Sequence, residues 1–254
     1  MFLSVNISMK ILFSPSESKS KYSHSEPINI KSFMFEDAFS VRMKAVSMYN
    51  DFIKSASITE LQYLFGIKDK KEIDDLRNDI MSLPTCPAVE RYSGVSYSFL
   101  KYGGLSESAK NYLLNNTVIF SNLFGPVSAG DKLPYYKLKQ GAKIGSFDLE
   151  KYYKEEFSAL LDNFLRNEAV IDLRAGFYEK FYTLKQPFST YKFLKGGKIV
   201  SHYAKAYRGI LLNIIAGRNI ESNDELLRCL PENLEVEEIK IMGFKEEITL
   251  SIKD

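Results

Sequence analysis

Two cations stand three residues apart near the start of a helix that the sequence predicts over 204–216, with Gly217 as its end. Lys205 and Arg208 project together from such a helix, because residues three apart share one face. The unbonded N–H groups of a helix N-terminus attract anions, and two cations beside them would complete a phosphate or carboxylate site. The same pair would equally well neutralise a structural carboxylate, so the residues alone leave both interpretations open.

This pair ends a strongly basic segment, residues 174–208. The segment holds eight basic residues and one acidic residue, a net charge of +7, whereas residues 209–254 hold five basic and ten acidic residues, a net charge of −5. The total of +2 hides this polarity. Aromatic residues alternate with the cations, which suits phosphates and stacked bases. The alternative is a buried aromatic core beside a solvated basic face. We predict anion contacts at Lys185, Lys192, Lys198, Lys205 and Arg208.

A glycine interrupts the helical pattern over 59–81. Gly66 is followed by the cations Lys68 and Lys70, as in a helix-hairpin-helix, whose tight turn offers backbone N–H groups to a DNA phosphate. Lys68 replaces the second glycine of that motif, and Glu72, Asp74 and Asp75 put negative charge on the second helix. An ordinary helical hairpin is therefore the alternative to a DNA-binding element formed by Gly66, Lys68 and Lys70.

Several kinds of chemistry lack the residues that they need. The chain has two histidines and two cysteines, Cys86 and Cys229, with no second thiol or imidazole at ligand spacing. We therefore expect no metal site, no cofactor and no disulfide. The sequence contains no nucleophile elbow, P-loop or dinucleotide fingerprint, which makes a standard hydrolase a poor prediction. No apolar run approaches the roughly 20 residues of a membrane span, so we expect no membrane partner.

Short apolar strands alternate with helices along the chain. Buried strands are predicted at 9–14, 117–121 and 169–173, and helices at 37–54, 106–115 and 148–166. Gly196 and Gly197 predict a hairpin within 188–203, and Gly243 predicts another within 234–253. Because no linker or change of composition divides the chain, we predict one compact domain of the α/β class, with mixed α+β content.

Short motifs in a fixed order make the chain resemble the YaaA family of bacterial peroxide-stress proteins. The first strand ends in Ser14 and Pro15, as the family's ends in Ser-Pro-Ala-Lys, with the lysine displaced to Lys19. The family's Gly-x-x-Tyr is similar to the segment from Gly94 to Tyr97. Three later family motifs are similar to segments at 121–125, 131 and 136–138. The best match is Ser-x-Tyr-Ala-Lys-x-x-Arg-Gly, which is kept as Ser201, Tyr203, Ala204, Lys205, Arg208 and Gly209.

The chain departs from the family's motifs at a few positions. The family's Arg-Pro pair is Ser128 and Ala129 here, and a later arginine is Lys137, which lacks the planar two-point contact of a guanidinium with an anion. Arg174 stands within a partly kept Asn-Leu-Ala-Ser-x-Glu-Tyr motif. These positions indicate a divergent branch of the family.

The resemblance implies a single α/β domain over 9–254, with a central mixed sheet, surrounding helices, a helix-hairpin-helix element and a positively charged cleft. It implies binding of double-stranded DNA, and a cytoplasmic role in surviving hydrogen peroxide by limiting damage from intracellular iron. Because the family begins at the first strand, residues 1–8 are expected to be a disordered extension. The cleft residues carried over by motif are Ser14, Lys19, Tyr97, Ser121, Gly125, Tyr136, Lys137, Ser201 and Tyr203.

We expect a monomer. An enzyme that acts on a nucleotide or nucleobase-like anion in the same cleft remains the alternative function, because motifs at the ends of several strands are typical of an α/β active site.

Overall fold

Two sheets and nine helices make up the part of the chain that the structure describes. The structure is a computed structural model and describes residues 9–253, without the side chains at 201 and 202; the extension expected at 1–8 lies outside the described residues. The strands are β1 (Met9–Phe13), β2 (Ser25–Pro27), β3 (Pro84–Pro87), β4 (Thr117–Ser121), β5 (Gly125–Ser128), β6 (Lys132–Pro134), β7 (Ala169–Asp172), β8 (Phe188–Lys195), β9 (Lys198–Ile199), β10 (Leu234–Met242) and β11 (Lys245–Ile252).

A central mixed sheet confirms the predicted fold class. Seven strands lie in the order β10-β11-β8-β7-β1-β4-β5, and β9 pairs with β8. The inner strands β11, β8, β7, β1 and β4 run parallel, while β5, β9 and β10 pair antiparallel with their neighbours. Both faces of β1 are covered, since the consecutive residues Ile11 and Leu12 are fully buried. The carboxyl ends of β1, β4 and β7 therefore meet at one edge of the sheet.

The helices surround this sheet and begin at polar caps. They are α1 (Phe39–Ser55), α2 (Ile58–Phe65), α3 (Lys70–Asp75), α4 (Ala88–Arg91), α5 (Val95–Leu100), α6 (Glu107–Asn116), α7 (Leu149–Phe164), α8 (Ser201–Arg218) and α9 (Asn223–Arg228). Ser106 and Asp148 accept hydrogen bonds from backbone N–H groups in the first turns of α6 and α7, which explains why those helices begin there. No helix within residues 9–253 is both long enough and apolar enough to cross a membrane.

Two predicted boundaries were wrong. Helix α8 begins at residue 201 and continues past Gly217 to end at Asn219, which adopts the left-handed conformation (φ 51°) that closes the helix. The predicted interruption is found at Gly66, which ends α2 with φ 67°, but the second helix ends at Asp75 and not at 81, where a separate 3-10 turn stands. The small antiparallel sheet β2-β3-β6 was not predicted, since its strands have three or four residues and contain proline.

Helix α8 lies unusually close to α5. A Cβ atom at Gly209 would stand 2.0 Å from the backbone oxygen of Ser96, so only glycine permits this approach of the two helices. The side chain of Asn213 donates a hydrogen bond to the carbonyl of Leu100 one turn further along (2.7 Å). This contact determines where the N-terminal half of α8 lies relative to the edge of the sheet.

Candidate anion-binding site

A pocket of about 440 Å³ lies where β1 and β7 end and α5 and α8 begin. Crevices at the carboxyl ends of parallel strands are the usual ligand sites of α/β sheets. The residues that line it come from five parts of the chain, and they are Phe13, Ser14, Pro15, Ser16, Glu17, Ser18, Gly94, Val95, Ser96, Tyr97, Gln140, Leu173, Ala175, Tyr178, Lys205 and Arg208. Hydroxyl groups, the acidic residue Glu17 and two cations thus line a space large enough for a nucleotide-sized ligand.

The loop after β1 forms one wall of the pocket. Ser14 Oγ accepts a hydrogen bond from the backbone N–H of Ala175 (2.8 Å), and its carbonyl accepts one from the Tyr97 hydroxyl (2.9 Å). The Phe13 and Tyr97 rings meet edge to face, 5.5 Å between centroids. These contacts tie the end of β1 to the end of β7 and to α5. Ser14 and Tyr97, two of the predicted cleft residues, are thus joined by a direct hydrogen bond.

Gly94 shapes the same wall. It has φ 105° and precedes α5, and a Cβ atom there would lie 2.8 Å from Ser16 Oγ. The glycine of the Gly-x-x-Tyr element therefore lets the backbone approach the pocket loop. Tyr97, three residues later, then faces the pocket from the same short helix.

The opposite wall is the first two turns of α8. Lys205 is exposed and Arg208 is partly buried, and both line the pocket. Within the described residues neither side chain has a hydrogen bond or an ion pair, so an anion in the pocket would be their partner. Burial lowers the pKa of Arg208, and the charge of Asp172 opposes that shift. An unpaired, partly desolvated guanidinium is a strong site for an oxyanion.

Lys19 lies behind the pocket loop on a cluster of tyrosines. Its ammonium is 4.3 Å from the centroid of the Tyr136 ring and donates to the carbonyl of Ser16 (3.1 Å). Burial lowers the pKa of Lys19 to about 7, with a further lowering by Lys137 and Arg91, against Glu17, which raises it. A bound anion nearby would favour the charged form of this amine.

The lowered pKa of Lys19 predicts a pH-dependent stability. In the folded protein the amine loses its proton above about pH 7, while in the unfolded chain it keeps the proton to about 10.5. Unfolding therefore takes up a proton between these pH values, and the free energy of unfolding should rise with pH across that range.

We expect Lys19→Met to remove this rise, as measured by urea unfolding between about pH 6 and pH 10. The control is Lys198→Met, which replaces an exposed lysine and should keep the slope of the unmodified protein. If the free energy of unfolding had the same pH dependence in the unmodified protein and in Lys19→Met, Lys19 would not be the cause of the rise.

Three predicted cleft residues lie outside the pocket and support it. Ser121 Oγ is 2.9 Å from the hydroxyl of Tyr136, which in turn is 2.8 Å from the hydroxyl of Tyr92. Burial raises the pKa of Tyr136 to about 12, so this hydroxyl stays protonated near neutral pH. Gly125 has φ 69°, and its missing side chain makes room for the ring of Tyr153. These residues are buried structure behind the site.

The loop at 137–140 connects the pocket with the α2–α3 hairpin. The backbone N–H of Lys139 donates to the carbonyl of Leu64 in α2 (2.8 Å), and the N–H of Gln140 donates to the carboxylate of Glu17 in the pocket loop (3.0 Å). The Lys139 side chain also lies over Gly66. Lys68 and Lys70 are exposed in the turn and at the start of α3, and Lys137 is partly buried.

Several cations of the segment 174–208 have internal partners. Lys185 forms an ion pair with Asp162 (2.8 Å), and Lys192 pairs with the buried carboxylate of Glu247, which Lys245 also contacts. Arg174 pairs with Asp172 (2.8 Å), with both side chains buried. Lys198 is exposed in the β8–β9 hairpin. The +7 charge of the segment is therefore partly neutralised by acids from elsewhere in the chain.

The remaining predicted residues stand at the start of α8. Tyr203 is 44% exposed and is not among the residues that line the pocket, and Lys195 lies 5.4 Å from its ring centroid. The side chain of Ser201 lies outside the described residues.

Of the sixteen residues that line the pocket, four were predicted from the sequence as site residues, namely Ser14, Tyr97, Lys205 and Arg208. Gln140 reaches it through a loop with no motif, and Tyr178 stands in the partly matched segment after β7. Ser16 and Ser18 were visible only as part of a serine-rich loop. Among the described side chains, which do not include that of His202, no three His, Cys, Asp or Glu residues are grouped so that they could hold a metal ion.

The fold and the pocket define an α/β protein with a basic crevice at the carboxyl ends of its parallel strands. The model of the family described as "Peroxide stress protein YaaA" matches residues 9–240. The chain therefore belongs to the YaaA family, which confirms the resemblance seen in the motifs.

Relatives from several bacteria match over most of their length. An uncharacterised protein of Campylobacter jejuni is 56% identical over 246 residues, which cover 97% of this chain and all of the relative. A UPF0246 protein of Corynebacterium efficiens is 30% identical, covering 96% of this chain and all of the relative. A UPF0246 protein of Fusobacterium nucleatum is 26% identical, covering 87% and 90%. As a member of this family, the chain is a peroxide stress protein.

Proposed function

We propose that this peroxide stress protein binds double-stranded DNA in the cytoplasm and limits iron-dependent oxidative damage to it. The observation that carries the proposal is the loop at 137–140, which hydrogen-bonds both to α2 and to the pocket loop. It joins the cations of the hairpin to those of α8 in one basic surface. We define this basic surface as Lys68, Lys70, Lys137, Lys139, Lys205 and Arg208.

The basic surface is suited to phosphates and not to base edges. Lysine and arginine side chains that contact the DNA backbone position a protein without reading its sequence. Exposed lysines on a hairpin turn, together with backbone N–H groups at the turn, resemble the phosphate contacts of a helix-hairpin-helix. We therefore expect affinity that falls with salt and varies little with sequence.

The test compares two variants of equal net charge by fluorescence anisotropy with duplex DNA. Lys205→Ala with Arg208→Ala removes two cations that have no ion pair within the described residues, and should reduce the slope of log K against log salt by about 1.8. Lys185→Ala with Lys192→Ala removes two cations that are paired with acids, and should leave the slope and the affinity nearly unchanged. The same pair of variants should differ in protecting a plasmid from strand breaks by ferrous iron and peroxide.

Two outcomes would contradict the proposal. Equal weakening by both double variants would show that only net charge matters, and the absence of salt-dependent binding even at low ionic strength would exclude duplex DNA. A further double variant, Lys68→Ala with Lys70→Ala, tests whether the hairpin belongs to the surface. If this variant binds duplex DNA like the unmodified protein, the hairpin lysines do not belong to the contact surface.

The volume of the pocket favours a second candidate, an enzyme acting on a nucleotide or nucleobase-like anion. A space of about 440 Å³ lined by Ser14, Ser16 and the two α8 cations can enclose a mononucleotide, whereas a duplex can contact only its mouth. Binding measurements with a mononucleotide and with duplex DNA distinguish the two candidate functions. If the protein binds a mononucleotide but does not bind duplex DNA, the result would support the enzyme and not the DNA-binding function.

A further inference from the structure

The edge strand β10 carries an unusual set of exposed apolar side chains. Among the described residues, eight of the nine in β10 are exposed, and only Leu234 is buried. Five large apolar side chains lie exposed on β10 and the turn after it, and they are Val236, Ile239, Ile241, Met242 and Phe244, which are 37–78% exposed. Such an edge presents unpaired backbone groups together with apolar surface, and it is a template for pairing with another strand.

The register of β10 on β11 separates its side chains into two faces. Val236, Ile239 and Ile241 stand opposite Leu250, Ile248 and Glu246, which alternate along β11, so these three share one face. Glu238 and Lys240 lie on the other face and form an ion pair (2.8 Å). The free edge thus has an apolar face and a charged face, on which Glu235 pairs with Lys253 (2.8 Å) and Glu238 pairs with Lys240. A β-bulge at Glu237 separates these two ion pairs.

We propose that β10 pairs antiparallel with β10 of a second copy of this chain, about a two-fold axis at Ile239. This register places Ile239 against Ile239 of the second copy and Glu238 opposite its Lys240, and the two-fold axis repeats that charge pair. The two central sheets then continue as one. This proposal is independent of the proposed function, and it replaces the monomer expected from the sequence.

Charge complementarity selects this occupant and this register. A two-fold axis at Glu238 would bring two carboxylates together, and an axis at Lys240 would bring two ammonium groups together, both of which are unfavourable. Of these three axes, only the one at Ile239 places Glu238 of each copy opposite Lys240 of the other. The strand is therefore complementary to itself in charge as well as in its apolar face.

The test is the mass of the full chain by sedimentation as a function of concentration. We expect a dimer of twice 29.1 kDa for the unmodified protein. Glu238→Lys and Lys240→Glu should each weaken the dimer by about tenfold, because two attractive pairs become repulsive. Mixing these two single variants should restore association as a heterodimer, since every pair is then again of opposite charge. Neither variant should change the melting temperature of the monomer by more than a few degrees, because the intrachain ion pair is exposed.

A second measurement fixes the register. Ile239→Cys should form an intermolecular disulfide on mild oxidation, because the two-fold axis brings the two thiols together. Ile199→Cys, at an exposed isoleucine on β9, should not. A protein that stays monomeric up to about 1 mM would overturn the proposal. So would a dimer that is insensitive to both charge reversals, or equal cross-linking at 199 and 239.

Discussion

We expect Gly209→Ala to destabilise the protein by about 3 kcal/mol or more, because the new methyl group would meet a backbone oxygen and not a flexible side chain. The Cβ atom would lie 2.0 Å from Ser96 O and 3.1 Å from Leu100 N, so α5 and α8 would have to move apart as whole helices. Chemical denaturation of the purified variant measures the loss. Because Lys205 lies one turn before Gly209 in α8 and Arg208 immediately precedes it, we also expect weaker anion binding by whatever fraction remains folded.

The same helix offers a matched control for this variant. Nothing lies within 4 Å of a Cβ atom at Gly217, which also stands within α8. Gly217→Ala should therefore not destabilise the protein. Because α8 ends one residue later, the gain should be at most the roughly 0.5–1 kcal/mol expected in a helix interior. If the two substitutions had similar effects on the free energy of unfolding, the close approach of α5 and α8 would be wrong.

The second large effect is expected at Arg174, whose guanidinium is buried with Asp172. Arg174→Met should cost about 3–5 kcal/mol, because it leaves a buried carboxylate without its partner. The guanidinium also donates to the carbonyls of Tyr178 (3.2 Å) and Tyr182 (3.0 Å), and it lies 4.5 Å from the centroid of the Phe120 ring. Urea unfolding of the variant gives the change in free energy directly.

Two controls identify the cause of the loss at Arg174. Adding Asp172→Asn to Arg174→Met should recover part of the stability, since the unpaired charge is then removed, and a double-mutant cycle measures the coupling. Lys185→Met breaks the more exposed pair with Asp162 and should change the free energy of unfolding by less than about 1 kcal/mol. Additive effects of the changes at 172 and 174 would show that the two side chains do not act as a pair.

For Arg174, the sequence and the structure indicate different roles. In the sequence it was one of eight cations in a basic segment and a departure from the family's motif. The structure places its side chain in the interior, where it joins the end of β7 to the turn at 176–180. A count of charges along the chain therefore overstates the basic surface, because it treats buried and exposed cations alike.

Local patterns determined the elements of this protein. The strand at 117–121 is found as predicted, and the strands at 9 and 169 begin where the apolar runs begin, because β-branched and apolar runs bounded by polar residues have few alternatives to a buried strand. Ser106 and Asp148 marked the starts of two helices through the hydrogen bonds that their side chains accept. The motif at 201–209 identified Lys205 and Arg208, because their spacing on one helical face follows from the geometry of the helix.

Only the tertiary structure decided which cations remain available to bind an anion and which distant residues line the pocket. The partners of Lys185 and Lys192 are 23 and 55 residues away in the chain, so their ion pairs depend on how the sheet is assembled. Gln140 enters the pocket through a loop that α2 and Glu17 hold in place. Gly209 is understood only when Ser96 is seen beside it. Patterns between neighbours in sequence encode helices and strands, whereas contacts between distant residues depend on the packing of those elements against one another.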